Sequence, residues 1–301
     1  MEIIKTEHFD LTRKIVSHMT SESWRTIPHV CVTYEHEVSD FVEALKKLNA
    51  ERPKEEKITL NTAMLKVITE GLKACSKMNG HIDFNEKLVR GTVTLFKNID
   101  ISMPTILENG KMMTINMHSM EEKNLTEMAQ AVKNSLERAH NSNINEVMMD
   151  ALIDNSIGEI KKGKIGEIFY RIIGSKTGKY KIHSLSGSER KEYYRIPERF
   201  RLTKDDIEQG TVTVSNLGSI YRNWHGECAI LEIIPPQIAA IGIGALQSKA
   251  VVGKNDTVCA GKVIPITIAF DHRALDMGDV VPFMEKLDAI FEEPKVLEKW
   301  A

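Results

Sequence analysis

The feature that most constrains this chain is one uninterrupted run near its C-terminus, IPITIAFDHRALDMGD (264–279). Its first seven residues are uncharged and rich in β-branched side chains, and they read as a core strand. The strand passes without a loop into Asp271-His272. A helix follows over 279–291, with Val280, Val281, Phe283, Met284, Leu287 and Ile290 on its apolar face. A core strand that ends on an imidazole holds it at the edge of a rigid sheet, where a base keeps a constant geometry. An unperturbed histidine, with a pKa of about 6.5, accepts protons near neutrality. A thiol, with a pKa of about 8.5, is a natural donor to it. Asp276 lies four residues after His272, one turn on, where it can fix the loop or the local charge. Alone, this spacing is equally compatible with a surface or core coincidence.

A second pattern is GTVTVSNLG (210–218). Alternating β-formers end in Ser215-Asn216 and then reach Gly218. A hydroxyl there could donate to a tetrahedral oxyanion. An ordinary strand end with a turn reads the same way.

Helical periodicity places helices after Asp10, over Asp40–Asn49, over Asn61–Met78 and over about Met120–His140. Strand patterns cover HVCVTYEHEV, KLVRGTVTLF, NIDISMPTI and KMMTINM, and later CAILEII, IAAIGIGAL and VIPITIAF. ERPKEEK (51–57) reads as a charged loop. Strands and helices interleave without regular βαβ alternation. That favours an α/β fold with a mixed β-sheet flanked by helices over a doubly wound parallel sheet. The region from about 141 to 200 differs: it is rich in Gly, Ser and Lys, and from Glu159 to Arg199 basic residues outnumber acidic ones. It reads as an inserted helical or loop segment, either a solvated surface or a basic docking surface for an acidic partner or for coenzyme A phosphates.

The 301 residues, 42% hydrophobic, suffice for a sizeable core. A net charge of −2 argues against a nucleic-acid partner. Cys31, Cys75, Cys228 and Cys259 form no CxxC pair, so neither a disulfide framework nor a metal site is expected, and a reducing compartment is. No secretory signal and no membrane-length apolar run is found, and a cytoplasmic location is the expectation.

GTVTVSNLG, EIIPPQIAAIGIGA and IPITIAFDHRALDMGD, in that order, resemble the catalytic domain of dihydrolipoamide acyltransferases. These are the acyltransferase components of 2-oxoacid dehydrogenase complexes and share the chloramphenicol acetyltransferase fold. RKIVSHM and the IPHV that follows it resemble that domain's opening helix and first strand. The resemblance spans nearly the whole chain apart from 141–200. It implies one catalytic domain over 1–301, interrupted by the basic insertion, with neither a lipoyl domain nor a peripheral subunit-binding domain.

It also implies a CoA-dependent acyltransferase that uses coenzyme A and acyl-CoA as substrates, with a dihydrolipoyl or other thiol acceptor. His272 would be the general base, Asp276 the aspartate of the same motif, and Ser215 the oxyanion donor. Asn216 and Gly218 would orient or line the channel, and Arg13 of the opening helix would pair with the aspartate near the base. The assembly implied is a homotrimer or a larger cage of trimers, with Ser215 and His272 supplied by neighbouring chains. A lipoyl group would arrive in trans, on a separate lipoyl-bearing protein.

Three departures stand out. Met277 occupies the place of the family's glycine, with Gly278 one position later. Ile234 replaces an asparagine before Pro235-Pro236, and the loop from Ser219 to Ile230, with Arg222, Trp224 and His225, is longer. They leave open a small-molecule O- or N-acetyltransferase of the chloramphenicol acetyltransferase type and a catalytically reduced trimeric or cage-forming core.

Overall fold

The computed structural model describes residues 1–106, 112–149, 151, 185–253 and 256–301. In chain order its regular elements are α1 (Leu11–Thr26), β1 (His29–Glu37), α2 (Ser39–Leu48), α3 (Leu60–Ala74), β2 (Gly80–Asn85), β3 (Arg90–Leu95), β4 (Ile101–Ile106), β5 (Met112–Met117) and α4 (Leu125–His140). Then come α5 (Gly187–Tyr193), β6 (Val212–Asn216), α6 (Leu217–Ile220), β7 (Ala239–Ile243), β8 (Gln247–Val252), β9 (Val258–Asp271), α7 (Met277–Glu292) and α8 (Val296–Lys299). The chain divides into two compact units.

Unit 2, built from Glu22–Pro104, Asn116–Lys133 and Gln209–Ala301, holds most of the sheet, including all of β1, β6, β7 and β9. Its strand order is β1-β9-β7-β6-β4-β5, with β8 also paired to β9. Pairs β4–β6 and β6–β7 are parallel, whereas β1, β7 and β8 all run antiparallel to β9. The expected mixed sheet is therefore present. β9 explains the uniform apolarity of its sequence. Ile264, Ile266, Ile268 and Phe270 enter the large core together with Phe41, Leu65, Ile68, Leu72, Phe283 and Leu287 from the helices. Ala269, from the other face of β9, packs with Ile27, Ile233 and Ala240 in a second, smaller cluster. A strand buried on both faces has no need of polar alternation.

The covering on that second face corrects one expectation. CAILEII (228–234) forms no strand. Its Leu231 and Ile233 sit in the smaller cluster, and its backbone is held by side chains instead of a ladder. Thr267 Oγ1 donates to Cys228 O at 2.5 Å, Ser23 Oγ donates to Ile233 O at 2.6 Å, and Ile233 N–H donates to His29 Nε2 at 3.1 Å. The segment is an extended strap over the sheet. Two strands escaped the sequence reading: β2, which closes a hairpin with β3, and β8, whose outer residues are half exposed. The helix expected over Asn61–Met78 stops at Ala74, and Ser76–Met78 form a separate 3₁₀ turn that becomes important below.

Unit 1, built from Met1–Ser21, Thr105–Ile115 and Asn134–Glu208, has its own core around Met113, Ile115, Val147, Tyr193 and Leu202. Arg138 grips Asp206 through two guanidinium nitrogens at 2.7 and 2.6 Å. Within the segment expected as an insertion, 144–149 are helical and α5 follows later. Lys161, Lys162 and Lys164, which belong to the basic stretch expected as a docking surface, lie outside the described residues. Among the described residues no helix is long and apolar enough to cross a membrane.

Candidate active site

The last residue of β9, Asp271, pairs with His29 at the start of β1. Its carboxylate is fully buried, and Arg273 two residues on closes over it. Arg273 Nη2 donates to Oδ2 at 2.6 Å, Nε to Oδ1 at 3.0 Å, and the backbone N–H to Oδ1 at 2.9 Å. The guanidinium also lies over the Phe84 ring, 5.6 Å from its centroid. This pair makes the tight turn that follows the strand. Nothing in the sequence alone assigns a role to Asp271 or Arg273. Removing one member of a fully buried ion pair costs about 3–5 kcal/mol, because the other charge is stranded. The Arg273 side chain is 22% exposed, so Arg273→Met is expected at the low end, about 3 kcal/mol, measured by chemical denaturation.

His272 stands on this turn. Its backbone N–H donates to Pro28 O at 3.1 Å, which ties the turn to the chain just before β1. Its ring meets Phe270 edge to face, with centroids 6.2 Å apart. Nδ1 is 3.1 Å from Leu275 O in hydrogen-bonding geometry. A carbonyl can only accept, so Nδ1 carries the proton in the neutral ring, and Nε2 is left with its lone pair. The side chain is 52% exposed, which leaves Nε2 accessible.

Asp276 Oδ1 lies 3.3 Å from the same Nδ1, but its side chain is 81% exposed. An exposed ion pair contributes little. The orienting bond is therefore the one to the Leu275 carbonyl, and Asp276 acts as a nearby negative charge. Asp276 also precedes the first residue of α7, and the Asp279 carboxylate accepts its backbone N–H at 3.0 Å. Met277, in the glycine's place in the motif, opens α7 with a 42% exposed side chain. It takes no left-handed backbone conformation, so no glycine is needed there.

Ser215 is in β6, half-buried, and its hydroxyl has no hydrogen-bond partner among the described residues. Asn216 caps α6: its Oδ1 accepts from Ser219 N–H at 2.8 Å, and its Nδ2 donates to Asn61 Oδ1. Gly218 serves packing. A Cβ at that position would fall 2.4 Å from Gly244 O and 2.6 Å from Ala245 Cα. Arg13 is exposed on α1 in unit 1, with its backbone N–H bound by Asp10 Oδ1 at 2.9 Å. Asp276 belongs to unit 2.

The sheet register decides which of these residues can meet. Ser215 pairs with Gly242 on β7, and Gly242 pairs with Thr267 on β9. His272 is five residues beyond Thr267. That offset is about 17 Å along the strand, with two strand spacings, about 10 Å, across it. A base and an oxyanion donor must each lie within about 3 Å of one reacting centre. Within one chain, His272 and Ser215 cannot act on the same reacting centre. His272, Leu275, Asp276 and Asp279 do come together, at the opposite end of the central strands from Ser215. Among the described residues, no group of three or more His, Cys, Asp or Glu side chains could hold a metal ion.

The model of the family "2-oxoacid dehydrogenases acyltransferase (catalytic domain)" matches residues 2–151 and 187–298. The dihydrolipoyllysine-residue acetyltransferase component of pyruvate dehydrogenase complex from Rickettsia felis is 22% identical over 288 residues, which cover 95% of this chain and 53% of the relative. The chain thus spans about half the length of the curated relatives it matches. Among solved structures, the cubic core of the pyruvate dehydrogenase multienzyme complex superposes with a TM-score of 0.67 at 14% identity, covering 98% of this chain and 94% of that one. Dihydrolipoamide acetyltransferase from Azotobacter vinelandii, studied for the catalytic roles of a serine, a histidine and an asparagine, superposes with a TM-score of 0.66 at 13% identity, covering 98% and 94%.

Proposed function

This chain belongs to the family of 2-oxoacid dehydrogenase acyltransferase catalytic domains, and from that premise we propose that it moves an acyl group between coenzyme A and a dihydrolipoyl thiol by general-base catalysis. The observation that carries this reading is the bond from His272 Nδ1–H to Leu275 O, which leaves Nε2 as a fixed, accessible acceptor at the end of a buried strand. Nε2 takes the proton of the attacking thiol, and the thiolate adds to the carbonyl carbon of the acyl thioester. The Ser215 hydroxyl of an adjacent chain donates to the oxyanion of the tetrahedral intermediate. Collapse breaks the original C–S bond, and the imidazolium returns its proton to the departing thiolate. The same steps run in either direction, and no acyl-enzyme is required. Asp276 stabilises the transient imidazolium as a neighbouring charge.

Ser215 and His272 are the residues of this chain that we assign to the oxyanion-donor and general-base roles. The register that separates these two residues supports a site at a boundary between chains, and the assembly we assign is a homotrimer or trimer-based cage. The acceptor in this reading is a dihydrolipoyl group presented by a lipoyl-bearing protein. The 1–301 segment is read as one catalytic domain with an insertion at about 141–200, and the family match, which skips 152–186, supports that reading. The direct test is thiol release from a panel of acyl-CoAs with free dihydrolipoamide as acceptor. Release that requires both substrates is expected. Release only with hydroxyl or amine acceptors would refute the dihydrolipoyl assignment.

A further inference from the structure

The turn that carries His272 is gripped from outside by a corner the sequence did not connect with it. After α3 ends at Ala74, the chain makes the 3₁₀ turn Ser76–Met78, anchored by the buried Met78. Two side chains from this corner reach the first turn of α7, and both meet Asp279. Cys75 Sγ–H donates to Asp279 O at 2.9 Å, and Lys77 Nζ pairs with Asp279 Oδ1 at 2.6 Å. The other carboxylate oxygen, Oδ2, accepts the Asp276 N–H. Asp276 in turn lies against His272 Nδ1. An unbroken path of contacts therefore runs from Lys77 through Asp279 and Asp276 to the imidazole.

Each link has a distinct physical role. Burial pushes the Cys75 thiol up, so it remains an S–H donor. The Asp276 N–H, together with Lys77, holds the Asp279 carboxyl below the usual carboxylate range, and Asp279 raises the Lys77 ammonium in return. Asp279 is therefore charged throughout the working range. Uncompensated, it would place a second carboxylate beside Asp276, one contact removed from the base. The other charged or titratable neighbours are already committed. Asp271 is neutralised by Arg273. His29, on the adjoining strand, accepts from the Ile233 backbone at Nε2 and has Ile27 O at 2.9 Å from Nδ1.

We propose that Lys77 is a positioning residue for His272: it clamps the start of α7 through Asp279, and it cancels the Asp279 charge so that the imidazole faces Asp276 alone. This rests on the reading of His272 as the general base. The substitutions are mild. Lys77 is largely exposed, so Lys77→Met removes the charge without opening the core.

The test uses the assembled protein and two readouts. One is kcat/KM against pH for acyl-CoA and dihydrolipoamide. The other is the pH dependence of His272 carbethoxylation by diethyl pyrocarbonate, followed by peptide mass spectrometry, which needs no activity because only the neutral imidazole reacts. In Lys77→Met, removing a cation favours the imidazolium. The carbethoxylation midpoint and the acid limb of kcat/KM should both move up by about 0.3 pH unit. The loosened turn should lower plateau kcat about threefold with little change in KM. Asp279→Asn should move both pH readouts down. Lys77→Met/Asp279→Asn should return them close to wild type, and Lys77→Arg should keep them there. Wild-type midpoint and profile in Lys77→Met would overturn the proposal, as would a double variant that behaves like Lys77→Met. The expected carbethoxylation shifts in the variants, together with a wild-type protein that transfers no acyl group, would instead refute the general-base reading and leave the clamp standing.

Discussion

Replacing His272 by alanine is expected to lower kcat for acyl transfer by about 10³- to 10⁴-fold, the upper range for loss of a positioned acid–base group. On the barrier that is about 4–5.5 kcal/mol. The fold should be unaffected. The side chain is half exposed, and the turn beneath it is held by the Asp271–Arg273 pair and by the backbone bond from His272 N–H to Pro28 O. KM for acyl-CoA should change little, because the imidazole acts on a proton that moves only in the transition state. The residual rate should climb with pH up to the thiol's own ionisation near about 8.5, since hydroxide then does the work of the base. Asp276→Ala is the informative contrast. If the Leu275 carbonyl is what orients the ring, Asp276→Ala should cost only about threefold to tenfold, as expected for an exposed charge. Steady-state thiol release under matched conditions measures both. Equal rates in wild type and His272→Ala would remove the acyltransferase assignment in this form.

Much of the site could be read from residues whose chemistry is local in sequence. Ile264 to Phe270 announce a core strand because every side chain is apolar or β-branched, and the position of His272 follows from the absence of any loop after it. The mixed sheet followed from strands that failed to alternate with helices. Contacts made by backbone groups, or across long separations, left no such mark. Leu275 contributes its carbonyl, which every residue possesses, so nothing singled it out. Lys77 and Asp279 are 202 positions apart, and each alone is an ordinary surface charge. The Asp276-x-x-Asp279 spacing was the one clue available, since an acidic residue three positions into a helix commonly holds the cap. CAILEII misled for a physical reason. Its apolar pattern is that of a strand, but its backbone is satisfied by Ser23, His29 and Thr267, whose proximity only the fold creates.

The other large effect concerns the distance between Ser215 and His272. Ser215→Ala should lower kcat by about 10²- to 10³-fold, the usual loss for one oxyanion donor. Each single variant, assembled alone, is then nearly inactive. The register puts the two residues at opposite ends of the central strands, so in the proposed mechanism a working site takes His272 from one chain and Ser215 from the next. Co-expression of Ser215→Ala and His272→Ala chains at equal levels therefore builds some intact sites. A site is intact when a chain that retains His272 adjoins a chain that retains Ser215 in the correct order. Random assortment around a closed ring gives that for about a quarter of the sites. Activity should recover to about a quarter of wild type, far above the mean of the two parents, whereas parents assembled separately and then mixed should not recover. The fraction is the same for a trimer and for a cage of trimers, because it depends only on neighbouring pairs. A site built within one chain has no route to recovery, since every chain in the mixture lacks one of the two groups. Co-expressed protein that stays at the parental level would place both groups in one chain, against the register of β6, β7 and β9.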